Sequence, residues 1–245
     1  MSFKLNYFDK IQGEGNGFAD YGTFAHSILE MYSKKIVTAE ECVGLYQMGF
    51  DDAVVNPYPP YPVNMREINY KRGLNYFQNF NGFQGFETIS TEQNLTAKIG
   101  PHNFRGIIDL VLKATENGKV VIVDHKTKSP SSMKKEFQLY KKQLYLYALL
   151  YFTKYGAYPD SMAFNMIATG EMLEVPFLQS EYEETIKWAH DLIEEIIMTT
   201  EFPGKIDKYF CNNICGMRSI CPHLLQEITK NMDDEEAIAG WDRGR

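Results

Sequence analysis

Two carboxylates stand inside runs that are otherwise apolar. Asp109 lies in Gly106-Ile107-Ile108-Asp109-Leu110-Val111-Leu112-Lys113, and Asp124 lies in Val120-Val121-Ile122-Val123-Asp124-His125-Lys126. A carboxylate in such a run is costly unless something compensates it, and a metal ion is a good compensator. Lys126 follows Asp124 by two positions, so on a strand the two side chains share a face. Two acids and a lysine at one point suit metal-assisted phosphodiester hydrolysis. The acids hold Mg²⁺, the ion activates a water and polarises the phosphoryl group, and the lysine offsets developing charge. The same spacing fits a plain hairpin whose acids sit at strand ends and pair with lysines. Spacing alone leaves both readings open.

The elements that must position these residues are legible around them. Glu116-Asn117-Gly118-Lys119 separates the two β-branched runs, which predicts a β-hairpin. Upstream, Phe18, Tyr21, Ala25, Ile28, Leu29 and Tyr32 fall on one side of an expected amphipathic helix that also carries His26. A lone histidine there reads as a packed residue as readily as a ligand. Downstream, a helix is expected over Ser132–Tyr155 with Phe137, Tyr140, Leu144, Leu146 and Leu150. Gln143 and Tyr147 stand at i and i+4 on one face of it. A buried amide such as Gln143 needs partners. Glu92, on an expected strand Thr88–Leu95, is open to two readings, metal ligand or ordinary surface glutamate. Lys126, Lys128, Lys134, Lys135, Lys141 and Lys142 cluster with Glu136 as the only acid among them. Beside a metal-dependent cleft such a run follows a nucleic-acid backbone; elsewhere it is a solvated face.

Taken in order, Gly22-Thr23-Phe24-Ala25-His26 followed by Leu29-Glu30, then Gly106-Ile107-Ile108-Asp109, Asp124-His125-Lys126 and Gln143-Leu144-Tyr145-Leu146-Tyr147 resemble the motifs of the PD-(D/E)xK nuclease superfamily. The pattern is most similar to its RecB-like branch, which includes CRISPR-adaptation nucleases and phage exonucleases. Each motif alone is weak; four in the family's order, over residues ~5 to ~225, are specific. The resemblance implies Asp109, Asp124 and Lys126 as catalytic residues. It implies a metal shell of His26, Asp109, Asp124 and the backbone carbonyl of His125, with Mg²⁺ or Mn²⁺ as the ion; imidazole fits Mn²⁺ better. It assigns Gln143 and Tyr147 to DNA contact and support of the active site.

Four cysteines are present, Cys42, Cys211, Cys215 and Cys221, and three of them cluster in a turn-rich segment that ends Cys221-Pro222-His223. Such clustering points to a metal or cluster site rather than scattered buried thiols. Members of the RecB-like branch often carry a 4Fe–4S cluster on three C-terminal cysteines, the last followed by Pro, and one cysteine far upstream. Cys215 to Cys221-Pro222 matches that spacing; the gap from Cys211 to Cys215 is one residue longer. The upstream cysteine is absent, because Met1 stands just after the place where it belongs. Three expectations follow: a start at an internal Met with the cysteine lost, a site completed by Cys42, His223 or Asp9 (including a Cys₃His zinc site), or no metal in this form.

Composition bounds the rest. A chain of 245 residues with 44% hydrophobic content reads as one nuclease domain over residues 1–231, with its core at about 86–180, a cysteine knuckle at about 209–223 and a disordered tail at 232–245. No run approaches a membrane span. With no signal peptide and with clustered free cysteines, a cytoplasmic location is expected. The net charge of −7 and pI of about 5.3 argue for a narrow basic channel rather than a broad basic surface. Residues 51–62 read as a proline-rich loop, strands are expected at Ser161–Ala168 and Glu171–Phe177, and a scaffold helix at Glu181–Thr199. The order is α/β, a mixed central sheet flanked by helices, which agrees with the restriction-endonuclease-like core that the resemblance implies. Two functions compete. One is a metal-dependent deoxyribonuclease, an exonuclease of recombination, repair or phage DNA metabolism working with a helicase or recombination partner. The other is a silent relative that binds DNA or a partner. The intact Asp109, Asp124 and Lys126 favour the first.

Overall fold

A computed structural model describes residues 2–204 and 206–225; the expected tail at 232–245 lies outside the described residues. The chain forms two compact units. One is the described part of Met1–Gly17, Asn56–Val63 and Thr199–Arg245; the other is Phe18–Val55 with Asn64–Met198.

The larger unit is built on a five-stranded sheet in the order β1-β2-β3-β4-β5. The strands are β1 (Phe86–Ile99), β2 (His102–Ala114), β3 (Val120–Lys126), β4 (Ser161–Met166) and β5 (Glu171–Pro176). β2 and β3 form the expected antiparallel hairpin, with Leu110 opposite Val123 and Val111 opposite Ile122. β3 and β4 are parallel, with Asp124 opposite Phe164 and His125 opposite Asn165. A parallel pair needs a crossover, and helix α4 (Pro130–Tyr155) supplies it. This mixed sheet flanked by helices is the fold class expected from the sequence.

Helix α4 begins where Ser129 caps it and Pro130 occupies its first turn. It ends at Gly156, whose left-handed φ of 75° closes the last turn without a Cβ clash. Its face of Leu144, Tyr145, Ala148 and Leu150 packs on Ile108, Ile122, Met162 and Phe164 of the sheet. The helix crosses β2 closely at Gly106, where a Cβ would stand 2.8 Å from Leu150 Cδ1. On the opposite sheet face Leu110, Val123 and Ala163 form a second small core under Phe83. Helix α5 (Gln179–Met198) packs against α4.

Helices α1 (Gly17–Ser33), α2 (Ala39–Ala53) and α3 (Met65–Asn79) precede the sheet. α1 buries Tyr21, Ala25, Ile28 and Leu29, the face read from its periodicity, and Phe24 stacks on Tyr46 of α2. α2 opens with a capping box between Thr38 and Glu41. It runs to Ala53, so the loop expected over residues 51–62 loses its first three positions to the helix. Buried Phe50 and the Arg66–Asp51 ion pair hold that last turn. β1 is longer than the expected Thr88–Leu95, because buried Ala97 and Ile99 alternate with exposed Thr96 and Lys98 and continue its pairing with β2.

In the smaller unit a π-helical turn, Lys4–Phe8, carries Phe3, Tyr7 and Phe8 into an aromatic cluster with Phe202. The amide of Glu14 donates to the carbonyl of Gly216 at 2.8 Å, and Glu14 also ion-pairs with Arg218. A short helix α6 (Lys208–Asn213), capped by Asp207, carries Cys211.

Candidate active site

Five elements, α1, β1, β2, β3 and α4, deliver side chains to one point. Asp109 from β2 and Asp124 from β3 stand one step beyond the paired Leu110 and Val123. Asp124 is 1% exposed and Asp109 7%, so both carboxylates are out of water. The backbone N–H of His125 donates to Asp109 Oδ2 at 2.9 Å, and the hydroxyl of Thr91 on β1 donates to the Asp109 carbonyl at 2.9 Å. Lys126 Nζ lies 2.6 Å from Asp124 Oδ2 and donates to Gln143 Oε1 on α4 at 3.0 Å. Gln143 Nε2 in turn donates to the Tyr147 hydroxyl at 2.8 Å. The same ammonium sits 4.6 Å from the centre of the Tyr140 ring. The half-buried Gln143 amide therefore orients the lysine, and Tyr147 orients the amide.

His26 arrives from α1. Its Nε2 lies 2.9 Å from the carbonyl oxygen of His125, a geometry in which the ring N–H donates. Burial holds the His26 imidazole below its usual range, only partly offset by Asp124 and the carbonyl bond, so the ring is neutral. Its other nitrogen, Nδ1, then presents a lone pair toward Asp109 Oδ2 at 3.5 Å and Glu92 Oε1 at 3.9 Å. Donor atoms of His26, Glu92 and Asp109 all lie within 4.8 Å of one another. An imidazole lone pair and two carboxylates converging on one point are the arrangement that a hard divalent cation stabilises. The donor set therefore fits Mg²⁺ or Mn²⁺. Asp124 is outside that trio and is tied to Lys126.

The carboxylates respond to their crowding. Burial raises Glu92 to about 7, with Asp109, Glu30 and Asp124 adding to the rise. Burial likewise raises Asp109 and Asp124, opposed by the His125 N–H at Asp109 and by Lys126 at both.

His125 is the crossing point of this network. Its N–H serves Asp109, its carbonyl serves His26, and its ring is buried on the far side of the strand. There Asn165 of β4 contacts Nδ1 at 3.0 Å and also donates to the Tyr76 hydroxyl of α3 at 2.7 Å, while Phe83 stacks on the ring. Burial drives the His125 imidazole far below its usual range, so it accepts the Asn165 N–H as a neutral ring. Asn165 and Tyr76 escaped the sequence reading; an Asn inside the apolar run Met162–Met166 was the available signal.

The lysine run divides. Lys134 and Lys135 are exposed in the first turns of α4. Lys128 pairs with Glu136 at 2.6 Å. Lys141 pairs with Glu181 at 2.5 Å, and Lys142 lies 4.0 Å from the Trp188 ring, so both are engaged with α5 rather than with the carboxylates. Glu92, left between two readings in the sequence, is one of the trio.

Cys211, Cys215 and Cys221 are free and half-buried, and Cys42 is buried in α2, where its thiol donates to the Thr38 carbonyl. Among the described residues His26, Glu92 and Asp109 are the one group of three donors within 4.8 Å, so the three sulfurs are spread wider than the shell of a single zinc ion with Zn–S bonds of about 2.3 Å. A cluster, several atoms across, sets its thiolates further apart. His223 has a buried Nε2 with no hydrogen-bond partner.

Residues 1–222 match the family model described as the PD-(D/E)XK nuclease superfamily. No curated protein matches the sequence. A solved structure titled "Crystal structure of SSO0001" is similar at 14% identity, covering 90% of this chain and 94% of that chain, with a TM-score of 0.33. Among the described residues no helix is long and apolar enough to cross a membrane.

Proposed function

Because this chain belongs to the PD-(D/E)XK nuclease superfamily, we propose that it is a divalent-metal-dependent deoxyribonuclease of the RecB-like branch, acting as an exonuclease in recombination, repair or phage DNA metabolism. The observation that carries the reading is the Asp124–Lys126–Gln143–Tyr147 chain beside Asp109 and His26. A silent descendant has no need to keep a half-buried lysine against a carboxylate and held by an amide.

His26, Asp109 and Asp124, with the backbone carbonyl of His125, would hold Mg²⁺ or Mn²⁺. Those residues would place the ion where it would supply polarisation of the scissile phosphoryl oxygen and a lower pKa for the attacking water. Lys126, fixed between Asp124 and Gln143, keeps its charge where negative charge grows on the phosphoryl group, and it needs no reorganisation to do so. Burial of the carboxylates excludes bulk water and strengthens these interactions. Exposed Lys134 and Lys135 neutralise backbone phosphates near the entrance. A partner helicase or recombination protein would deliver the DNA end. In the smaller unit Cys211, Cys215 and Cys221 would hold a 4Fe–4S cluster, which their spread suits better than the alternative of zinc with His223.

The test is purified protein with Mg²⁺ or Mn²⁺ on end-labelled single- and double-stranded DNA. Stepwise release of label from one end supports the exonuclease. No cleavage under any of these conditions, together with retained DNA binding, would establish the silent binding protein instead.

A further inference from the structure

Two of the five histidines meet outside the carboxylate site. His102 opens β2 just after the turn at Gly100, and His190 lies on α5. They come from segments far apart in sequence and converge on one carboxylate. His102 Nε2 lies 2.6 Å from Glu194 Oε1, and His190 Nε2 lies 4.0 Å from the same oxygen. His190 and Glu194 stand at i and i+4, so one face of α5 presents both. At the other edge of the His190 ring, Nδ1 faces Asp191 Oδ1 at 3.6 Å. The turn is fitted to this ring. Gly100 has φ of 57°, and a Cβ there would stand 2.7 Å from His190 Cδ2 and 2.9 Å from its Nε2. Glycine takes that φ freely and lets the backbone approach the imidazole. His102, His190 and Glu194 are all half-buried. A hydrogen bond between His102 and Glu194 accounts for one imidazole. It leaves His190 Nε2 near the same oxygen but beyond hydrogen-bond reach.

We propose that His102, His190 and Glu194 form a second metal site, for Zn²⁺, that fastens the β1–β2 turn to α5. Two imidazoles and one carboxylate are a donor set that zinc uses, with the fourth position left to water. The two nitrogens set this site apart from the oxygen-rich one, because imidazole suits Zn²⁺ and carboxylates suit Mg²⁺. Asp191 supplies the orienting partner. A carboxylate at the far nitrogen of an imidazole fixes its tautomer and leaves Nε2 to the ion. In a tetrahedral shell with bonds of about 2.0–2.1 Å, neighbouring donors stand roughly 3.3 Å apart. The two separations from Glu194, 2.6 and 4.0 Å, straddle that value, so a small rotation of the Glu194 side chain evens them. The ring centres lie 6.2 Å apart, about 1 Å wider than two imidazoles on one zinc ion, and half-buried side chains can close that gap. β1 and β2 also carry Glu92 and Asp109, so an ion at the turn would hold the far end of the same hairpin. The site shares no side chain with the carboxylate site and stands apart from the nuclease reading.

The experiment is a calorimetric titration of the ion-free full-length protein with Zn²⁺, paired with melting temperatures in chelator and in zinc. Wild type is compared with His102→Gln, His190→Gln, Glu194→Gln, Asp191→Asn and the control Glu183→Gln, an exposed glutamate of the same helix. Zinc taken up by the carboxylate site or the cysteines is common to every variant and cancels in the comparison. Wild type should bind one equivalent more than His102→Gln, His190→Gln or Glu194→Gln, or bind that equivalent more than about 100-fold more tightly, beyond what loss of an orienting partner alone costs. Its zinc-induced rise in melting temperature should be larger by the same comparison. Glu194→Gln keeps a hydrogen-bonding partner for His102, so it separates loss of the ion from loss of the fold. Asp191→Asn should weaken the site by about tenfold, and Glu183→Gln should leave it unchanged. Equal zinc uptake and an equal rise in melting temperature in wild type and the three ligand variants, uptake of none included, overturn the proposal. His102 and Glu194 are then a plain bridge between the hairpin and α5.

Discussion

The carboxylate site and the cysteine segment both gather metal-ligand residue types, and they are built in opposite ways. The site draws on α1, β1, β2, β3 and α4, elements far apart in sequence, and long-range pairing fixes each donor. Sheet register sets Glu92 against Asp109, and the His125 peptide ties Asp109 to His26. Cys211, Cys215 and Cys221 sit within one stretch of chain, held by local bonds such as Cys215 N–H to the Phe210 carbonyl and Leu225 N–H to the Cys221 carbonyl, with Glu14 the distant residue that reaches Gly216 and Arg218. Only the first set converges within 4.8 Å. A packed scaffold pre-organises donors before any ion arrives, whereas donors within one short stretch of chain have mainly that stretch to place them.

The largest effect that would break this contrast concerns cleavage. Asp109→Ala, Asp124→Ala and Lys126→Ala should each lower the rate by roughly 10³-fold or more. Double variants should be no worse than single ones, because the three act as a unit. Cleavage by Asp124→Ala at near wild-type rate would remove the basis of the site. On the other side of the contrast, anaerobically purified protein should be brown, and Ser at Cys211, Cys215 or Cys221 should bleach it. A colourless protein with one equivalent of zinc would favour the site that includes His223.

A smaller effect sharpens the idea of pre-organisation. Asn165→Ala removes the contact to the His125 ring and leaves polar groups of His125 and Tyr76 unpaired, at a cost of about 1–3 kcal/mol. Because the His125 peptide then loses its anchor, Mn²⁺ affinity should also fall by roughly 10- to 100-fold. A stability loss with unchanged ion affinity would make Asn165 plain core.

The pH response of the ion-free protein is a third measurement. Burial raises Glu92, Asp109 and Asp124, so the folded state keeps protons that the unfolded chain releases near pH ~4. That stabilisation is complete below the unfolded values and is lost as pH rises through the folded ones, about 7 for Glu92. The melting temperature in chelator should therefore fall between about pH 5 and pH 7.5, less steeply in Asp124→Asn. Saturating Mn²⁺ should reverse the slope, since an ion binds the deprotonated carboxylates. Calorimetric scans with and without chelator decide the matter.

The smallest effects separate the lysines. Lys134→Ala and Lys135→Ala should each reduce the log–log salt dependence of duplex binding by about 0.9. Lys141→Ala and Lys142→Ala should leave it unchanged and instead loosen α4 from α5 by about 1 kcal/mol or less. A lower slope in the second pair would put DNA along α5.

What the sequence determined by itself was local or periodic. The hairpin followed from β-branched runs around Asn117-Gly118, and α1 and α4 from apolar spacing. The shared face of Asp124 and Lys126 followed from the two-residue repeat of a strand. The family motifs added which of those residues to watch. The tertiary structure decided what no spacing encodes: that Glu92 faces Asp109 across β1 and β2, that Lys141 and Lys142 of α4 engage α5, and that Asn165 and Tyr76 anchor His125. Each depends on the relative placement of elements distant in sequence. Strand register and helix packing set that placement through the whole core, and a short window of sequence carries no record of it.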